Sequence, residues 1–277
     1  MNNKPFYWIF SLVIVLFTQF SCAAVIYQWQ DAQGQQHYSD QQHKNATEYK
    51  LRKDYSFYKV VKVYDGDTVR LSDGRKIRLL GINTPEIEHS KQTEQAGGEA
   101  AKKWLTQQLS NTRIRLEYDQ EKKDKYQRVL AHIHTEQGVH INRELVRLGF
   151  ASVSIYPPNL KYTAELLAAE QWAEQNQLGI WNYSEYKPKL TNELRYSNKR
   201  GWQRITGFVI SQKNTTKSRY LQVGDNFYVR IKKEHIQYFD ALDLLKGKKI
   251  EVRGWVNKYK NGFSMLVRHP SAVKVLD

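Results

Sequence analysis

Residues 58–82 read YKVVKVYDGDTVRLSDGRKIRLLGI. Valines and other apolar side chains alternate with charged ones, and the alternation is twice interrupted by short polar runs that contain Gly66 and Gly74. That is the pattern of strand, turn, strand, turn, strand. Asp73-Gly74 between two alternating runs is an ordinary hairpin turn and carries no chemistry. Working outward, GGEAAKKWLTQQL (97–109) reads as a helix with Ala101, Trp104, Leu105 and Leu109 on one face. TRIRLEY and RVLAHIH read as strands, and INRELVRLGFA as a short helix with Gly149 as its stop. TAELLAAEQWAEQNQLGIW reads as a longer helix that runs to the neighbourhood of Gly179.

Residues 183–200 are polar and charged and read as a linker. Beyond them, RITGFVIS, YLQV, FYVRI, KKIEVRGWV and FSMLVR read as five strands, with a helix near 237–245 between the third and fourth. Five strands with a helix at that place predict a small OB-type barrel over 201–277. The fold class is therefore α+β, mainly β.

The chain has 277 residues, room for two modest domains. Its formal charge of +15 points to a polyanionic partner, nucleic acid before others. At the N-terminus, Lys4 is followed by an apolar run from Phe6 to Phe17 and then by SCAAV, in which Ser21 and Ala23 fit a small-x-small cleavage site. This is the pattern of a signal peptide over 1–24, and the run is shorter than a spanning helix needs. An uncleaved anchor, or lipid on Cys22, are the lesser alternatives. Cleavage after Ala23 or Ala24 removes the single cysteine and leaves an exported chain, periplasmic or secreted, with no membrane partner and no internal disulfide. Residues 25–40 read as one hairpin and resemble a short domain of unknown function at the N-termini of mature bacterial envelope proteins. Residues 41–56 read as a linker.

Five stretches occur in order through 57–182: VYDGDTVRL, IRLLGINTPE, DKYQRVLAHI, INRELVRLG and LGIW. Together they resemble the staphylococcal nuclease (thermonuclease) family. The resemblance implies a five-stranded OB-type barrel with three helices and calcium-dependent hydrolysis of DNA and RNA phosphodiesters with little base specificity. It implies Asp67 and Asn83 as direct Ca2+ ligands, Thr84 as a ligand through its carbonyl, and Asp65 in the outer shell. Glu86 matches the general base, and Arg78 and Arg128 match two arginines that clamp the scissile phosphate. Lys125, Tyr126 and Tyr156 match residues around the terminal phosphate and nucleoside. Read alone, Asp65-Gly66-Asp67 is also compatible with a solvated turn, and Arg78 with an outward charge on a strand.

Three residues depart from the family pattern. Asn83 stands for an aspartate, Gln127 for a glycine beside Arg128, and Ser154 for a tyrosine. His132 and His134, at i and i+2 on a strand, share a face. Such a pair can hold a transition metal, but is more often plain surface. In the C-terminal barrel, Tyr228 and Arg230 share the face of their strand opposite Phe227, Val229 and Ile231. Aromatic and basic residues together suit single-stranded nucleic acid, and a merely structural barrel with a basic exterior stands equally open. The rival to a nuclease is a non-catalytic nucleic-acid-binding protein on a degenerate barrel, with neutral Asn83 as the point in its favour. Oligomeric state has no signature in the chain.

Overall fold

A computed structural model describes residues 27–31, 33, 35–48, 56–87, 95–197 and 201–276. The signal peptide expected over 1–24, and the start of the expected hairpin, lie outside these residues. The chain divides into two compact units, 1–54 and 55–277.

In the first unit, β1 (Tyr27–Gln30) and β2 (Gln36–Ser39) form the expected hairpin, and β3 (Thr47–Glu48) adds a third strand beside β1. The segment read as linker thus contributes to this sheet. Asp31 shapes the turn by accepting hydrogen bonds from the backbone N–H of Gln33 and Gln35. Trp29 stacks on both His37 and His43, with ring centroids 5.3 and 4.6 Å apart.

The second unit begins with β4 (Tyr58–Val63), β5 (Thr68–Leu71) and β6 (Lys76–Leu79), the three strands expected of residues 58–82. A two-residue strand β7 (Ile82–Asn83) precedes α1 (Gly98–Leu109), β8 (Arg113–Glu117) and β9 (Val129–Thr135). Then come α2 (Ile141–Arg147), β10 (Ser152–Val153) and α3 (Thr163–Gln175). The barrel closes in the order β4-β5-β6-β9-β8. All its pairings are antiparallel except β6 with β9, where Arg78 lies opposite Leu130. Val69, Leu71, Ile77, Leu79, Ile114 and Ile133 fill it, and Leu105, Leu145 and Leu166 bring the three helices onto it. The OB-type barrel with three helices is as expected.

The longer helix ends at Gln175, before Gly179. Gln177 takes a left-handed backbone (φ 53°), and Leu178 N–H bonds back to Ala173 O. The turned chain buries Ile180 and Trp181, and that apolar burial outweighs four more helical residues.

Residues 183–197 are structured. Two short 3₁₀ turns (Ser184–Tyr186 and Thr191–Glu193) flank β11 (Lys189–Leu190), and Tyr186 and Leu194 are buried. Next come β12 (Trp202–Asn214), β13 (Ser218–Val223), β14 (Phe227–Lys232), α4 (Lys233–Ile236), β15 (Lys249–Tyr259), β16 (Gly262–Val267) and β17 (Val273–Leu276). Strands β12-β13-β14-β16-β15 pair in a ring that β15 closes on β12, again with a parallel step, β14 with β16. Both barrels therefore use one connectivity: first, second, third, fifth, fourth, first. The helix expected near 237–245 is instead α4 plus a 3₁₀ turn at Leu242–Leu245. The left-handed Ala241 (φ 50°) interrupts it.

The two barrels meet through a buried ion network. Arg253 of β15 reaches Glu251 (2.6 Å), Glu170 (3.0 Å) and Glu174 (2.7 Å), the last two on α3. Arg204 of β12 joins Glu251 (2.9 Å) and Glu174. Trp181 covers both guanidinium groups, 5.5 and 5.6 Å from its ring. Burial pushes Glu170 above the usual carboxylate range, while hydrogen bonds from the arginines overcome burial at Glu251 and hold it below. Arg253→Ala leaves three carboxylates facing one arginine. The expected loss is about 3–5 kcal/mol of unfolding free energy. Denaturant titration measures it, and a loss under about 1 kcal/mol would mean that the network contributes little.

Candidate active site

Asp65, Gly66 and Asp67 form the bend between β4 and β5. Asp65 Oδ1 accepts from Asp67 N–H at 3.0 Å, which folds the turn on itself. A side chain on Gly66 would come within 2.6 Å of the Thr84 methyl and 2.7 Å of Ala101, so only glycine lets this bend sit against β7 and α1. The closeness lets Asp67 Oδ2 accept the Thr84 backbone N–H at 3.1 Å and meet Arg78 Nη2 at 3.0 Å. Thr68 Oγ1 donates to Asp67 Oδ1. Burial and the neighbouring Asp67 carboxylate push Asp65 up to about 7.

Arg78 is no free outward charge. It donates to Leu79 O and Ile82 O at 2.9 and 3.0 Å and approaches Asn83 Oδ1 at 3.4 Å. Asn83 is held in register by β10, opposite Ser152, and its Nδ2 donates to Thr84 O at 3.1 Å. An aspartate could not make that bond. Asp67, Asn83, Thr84 and Asp65 are thus brought together, with Arg78 at their edge. Every candidate donor there is an oxygen, which suits a hard cation. Only two of the four groups carry a charge, and no three His, Cys, Asp or Glu among the described residues converge as a metal site. Glu86 is held through its backbone. Its N–H donates to Gln95 Oε1 and its carbonyl accepts Gln95 N–H. It is not among the residues that line the adjoining cleft.

That cleft, of about 470 Å³, is lined by Arg78, Lys125, Tyr126, Arg128 and Tyr156, and also by Ser154 and Arg268. Asp124 builds the loop that carries three of these. Its Oδ1 accepts from Tyr126 N–H and Arg128 N–H, and its Oδ2 binds Arg128 Nε at 2.6 Å. Burial raises Asp124, but the Arg128 bonds outweigh it and hold the carboxyl below its usual range. Gln127 takes the left-handed backbone (φ 63°) that a glycine would favour, so the loop keeps its shape despite the substitution. Tyr126 is 68% exposed and Tyr156 48%, and cations lie over both rings: Lys125 and Arg128 over Tyr126, and Arg268 over Tyr156. Asp124 was legible as an Asx turn in DKYQR, whereas the RHPS stretch that holds Arg268 pointed only to the second barrel and not to this cleft.

Tyr228 and Arg230 are elsewhere. Tyr228 lines a smaller cleft on the second barrel with Tyr220, Tyr259, Lys213 and Lys260, while Arg230 bonds Ser218 Oγ. The histidine pair is not surface. His132 and His134 are buried, and His140 at the start of α2 joins them: His132 Nδ1 lies 3.1 Å from His140 Nε2, and His134 stacks on His140. Tyr162 packs over the rings, and Glu117, Asp119, Arg115, Arg143 and Lys161 are the charges that act on them. The strand pair faces α2 and α3 rather than water, and this turns an expected surface patch into core.

A closed OB-type barrel whose mouth joins carboxylates to a cleft of arginines, lysine and tyrosines is the architecture of a nuclease. The family described as staphylococcal nuclease homologue matches residues 76–183. A thermonuclease of Staphylococcus intermedius is 40% identical over 127 residues, 45% of this chain and 75% of that protein. Endonuclease YncB of Bacillus subtilis is 34% identical over 127 residues, 44% of this chain and 60% of that protein. An uncharacterised protein of Methanocaldococcus jannaschii is 33% identical over 198 residues, 62% of this chain and 93% of that protein, a match longer than the nuclease segment alone. A domain of unknown function, DUF4124, matches residues 14–52. The chain belongs to the staphylococcal nuclease homologue family and is a hydrolase of the nuclease class.

The histidine cluster makes stability depend on pH. Burial holds folded His132 down to about 4 and His140 to about 3, and lowers His134 as well. The unfolded chain takes up protons near the ordinary value of 6.5, so between these values it binds more protons than the folded one. Stability is therefore complete above pH 6.5. Below it, stability falls toward a slope of about 1.4 kcal/mol per pH unit for each histidine that stays neutral. Hydrogen bonds to Lys161, Arg115 and Tyr162 outweigh burial and hold Glu117 at about 2, so it stays charged throughout. Asp65 and Glu170, raised in the folded state, act with the opposite sign over part of this window. Chemical denaturation at pH 7, 6 and 5 therefore compares the wild type with His140→Phe, and an unchanged slope in the variant would contradict the cluster's neutrality.

Proposed function

We propose that the protein is an exported, calcium-dependent nuclease that hydrolyses DNA and RNA phosphodiesters with little base specificity. The observation that carries this reading is the position of Arg78, bonded to Asp67 on one side and lining the cleft with Arg128 on the other. A phosphodiester held by two planar guanidinium groups would sit beside the oxygen donors. The signal-like residues 1–24 and the DUF4124 match support export.

Asp67, Asn83 Oδ1 and Thr84 O would hold the calcium, with Asp65 behind them, and their oxygens fit it. Bound there, calcium would relieve charge on a phosphoryl oxygen. Glu86 would take the proton of the attacking water. Arg78 and Arg128 would hold the phosphate as the water oxygen bonds to phosphorus and the bond to the 5′ oxygen breaks, which leaves a 3′-phosphate. Lys125, Tyr126 and Tyr156 would hold the neighbouring phosphate and nucleoside. The contacts go to phosphate, hence the weak base preference. Tyr228 and Arg230, on the second barrel, would add affinity for single strands through stacking and charge.

The Asn83 bond to Thr84 O favours one rival, a platform that binds nucleic acid without cutting it. Digestion of DNA and RNA with calcium, magnesium or chelator decides between them: cleavage in calcium alone supports the proposal, and binding without cleavage supports the platform. Glu86→Gln is expected to reduce kcat by about a hundred- to ten-thousandfold with folding intact. Wild-type turnover in that variant would remove Glu86 from the mechanism. Asn83→Asp adds a charge to the donor set and gives up the bond to Thr84 O. It is expected to lower the calcium concentration for half-maximal activity, read by titration. Coincident curves would mean that the amide oxygen serves as well or does not bind.

A further inference from the structure

Arg268 belongs to the second barrel, yet it lines the nuclease cleft. It follows β16 directly, and its guanidinium lies over the Tyr156 ring, 4.5 Å from the centroid. Among the described residues it has no ion-pair partner. Glu234, which feels its charge, is bonded to Lys232. An arginine held over a half-exposed tyrosine, with no ion pair among the described residues, is set to receive an anion or a base.

A second cleft, of about 260 Å³, runs between the barrels. Ser154, Tyr156 and Arg268 line it as well as the nuclease cleft, so the two clefts adjoin at these three side chains. Trp255, 37% exposed, lines this cleft too. The opening depends on Ser154 being small, since a ring there would fill the edge that the clefts share. The ion network between α3 and β15 holds the two walls in register.

We propose that Arg268 is a substrate-binding residue, and that a single-stranded polynucleotide leaves the nuclease cleft across Ser154, Tyr156 and Arg268 into the groove between the barrels. This rests on the nuclease reading and extends it: the second barrel completes the substrate path. Arg268 meets a backbone phosphate one step beyond the cleft and stacks the adjoining base, and Trp255 offers the next stacking surface.

The test compares binding of a fluorescent single strand of about ten nucleotides, within the span of one OB barrel, with binding of a dinucleotide. Chelator is present and strand integrity is checked on a gel. For Arg268→Ala the longer strand is expected to lose about tenfold in affinity and the dinucleotide far less. The salt dependence of the longer strand falls by about 0.7 in slope, one phosphate contact. Arg268→Lys restores the slope but not the full affinity. Ser154→Tyr reproduces the length-dependent loss from the other wall. Thermal melting checks each variant's fold, and if Arg268→Ala fails to fold, the lysine and tyrosine variants carry the comparison. An equal loss at both lengths, or an unchanged longer strand, overturns the path. Absence of cleavage in calcium, with the length-dependent loss intact, instead overturns the nuclease reading and leaves the path standing.

Discussion

Glu170 lies on α3, buried, and uses both of its oxygens. One accepts Val153 N–H at 2.7 Å, and the other meets Arg253 of the second barrel at 3.0 Å. Val153 pairs with Ile82, and the next pair in that ladder is Ser152 with Asn83. A single carboxylate therefore ties the strand beneath the candidate cation site to the neighbouring barrel. Taking it out of water is costly, and only the arginines and the backbone donor around it offset that cost. This one arrangement thus links the strand that pairs with Asn83 to the second barrel.

The two charge clusters differ in surroundings rather than in balance. Each has one more carboxylate than arginine: three glutamates against two arginines between the barrels, and Asp65 and Asp67 against Arg78 at the mouth. Between the barrels Trp181 lies over both guanidinium groups, and the charges tie α3 to β12 and β15. At the mouth burial and the neighbouring Asp67 drive Asp65 up, and an arginine-lined cleft adjoins the carboxylates. Asn83 sits where these meet, and its amide donates to Thr84 O.

Both barrels have one connectivity, with a parallel pairing between third and fifth strands. They differ in what they build around it. The first adds three helices and a mouth loop, while the second adds edge strands and an aromatic cleft of Tyr220, Tyr228 and Tyr259. Similar frames thus give one surface rich in charge and another rich in stacking faces.

Residues 58–82 alone determined three strands and their turns, because alternation on a half-buried sheet is a local pattern that sterics and burial enforce at each residue. The motif residues Asp67, Arg78, Asn83, Thr84, Lys125, Tyr126, Arg128 and Tyr156 stood out only through the resemblance of their stretches to a nuclease family, since read alone DGD is a turn and Arg78 a strand charge. Tertiary structure alone decided the rest. His132 and His134 became core because α2 and α3 cover them, and no pattern within their strand distinguishes a covered face from a wet one. The longer helix stopped at Gln175 because Ile180 and Trp181 had a core to enter. Residues 183–197 were ordered by partners on β12. Arg268 reached the nuclease cleft only because a network of five charges, far apart in the chain, fixes one barrel against the other. Long-range packing of that kind leaves no period in a sequence, since the residues that meet share nothing but their destination.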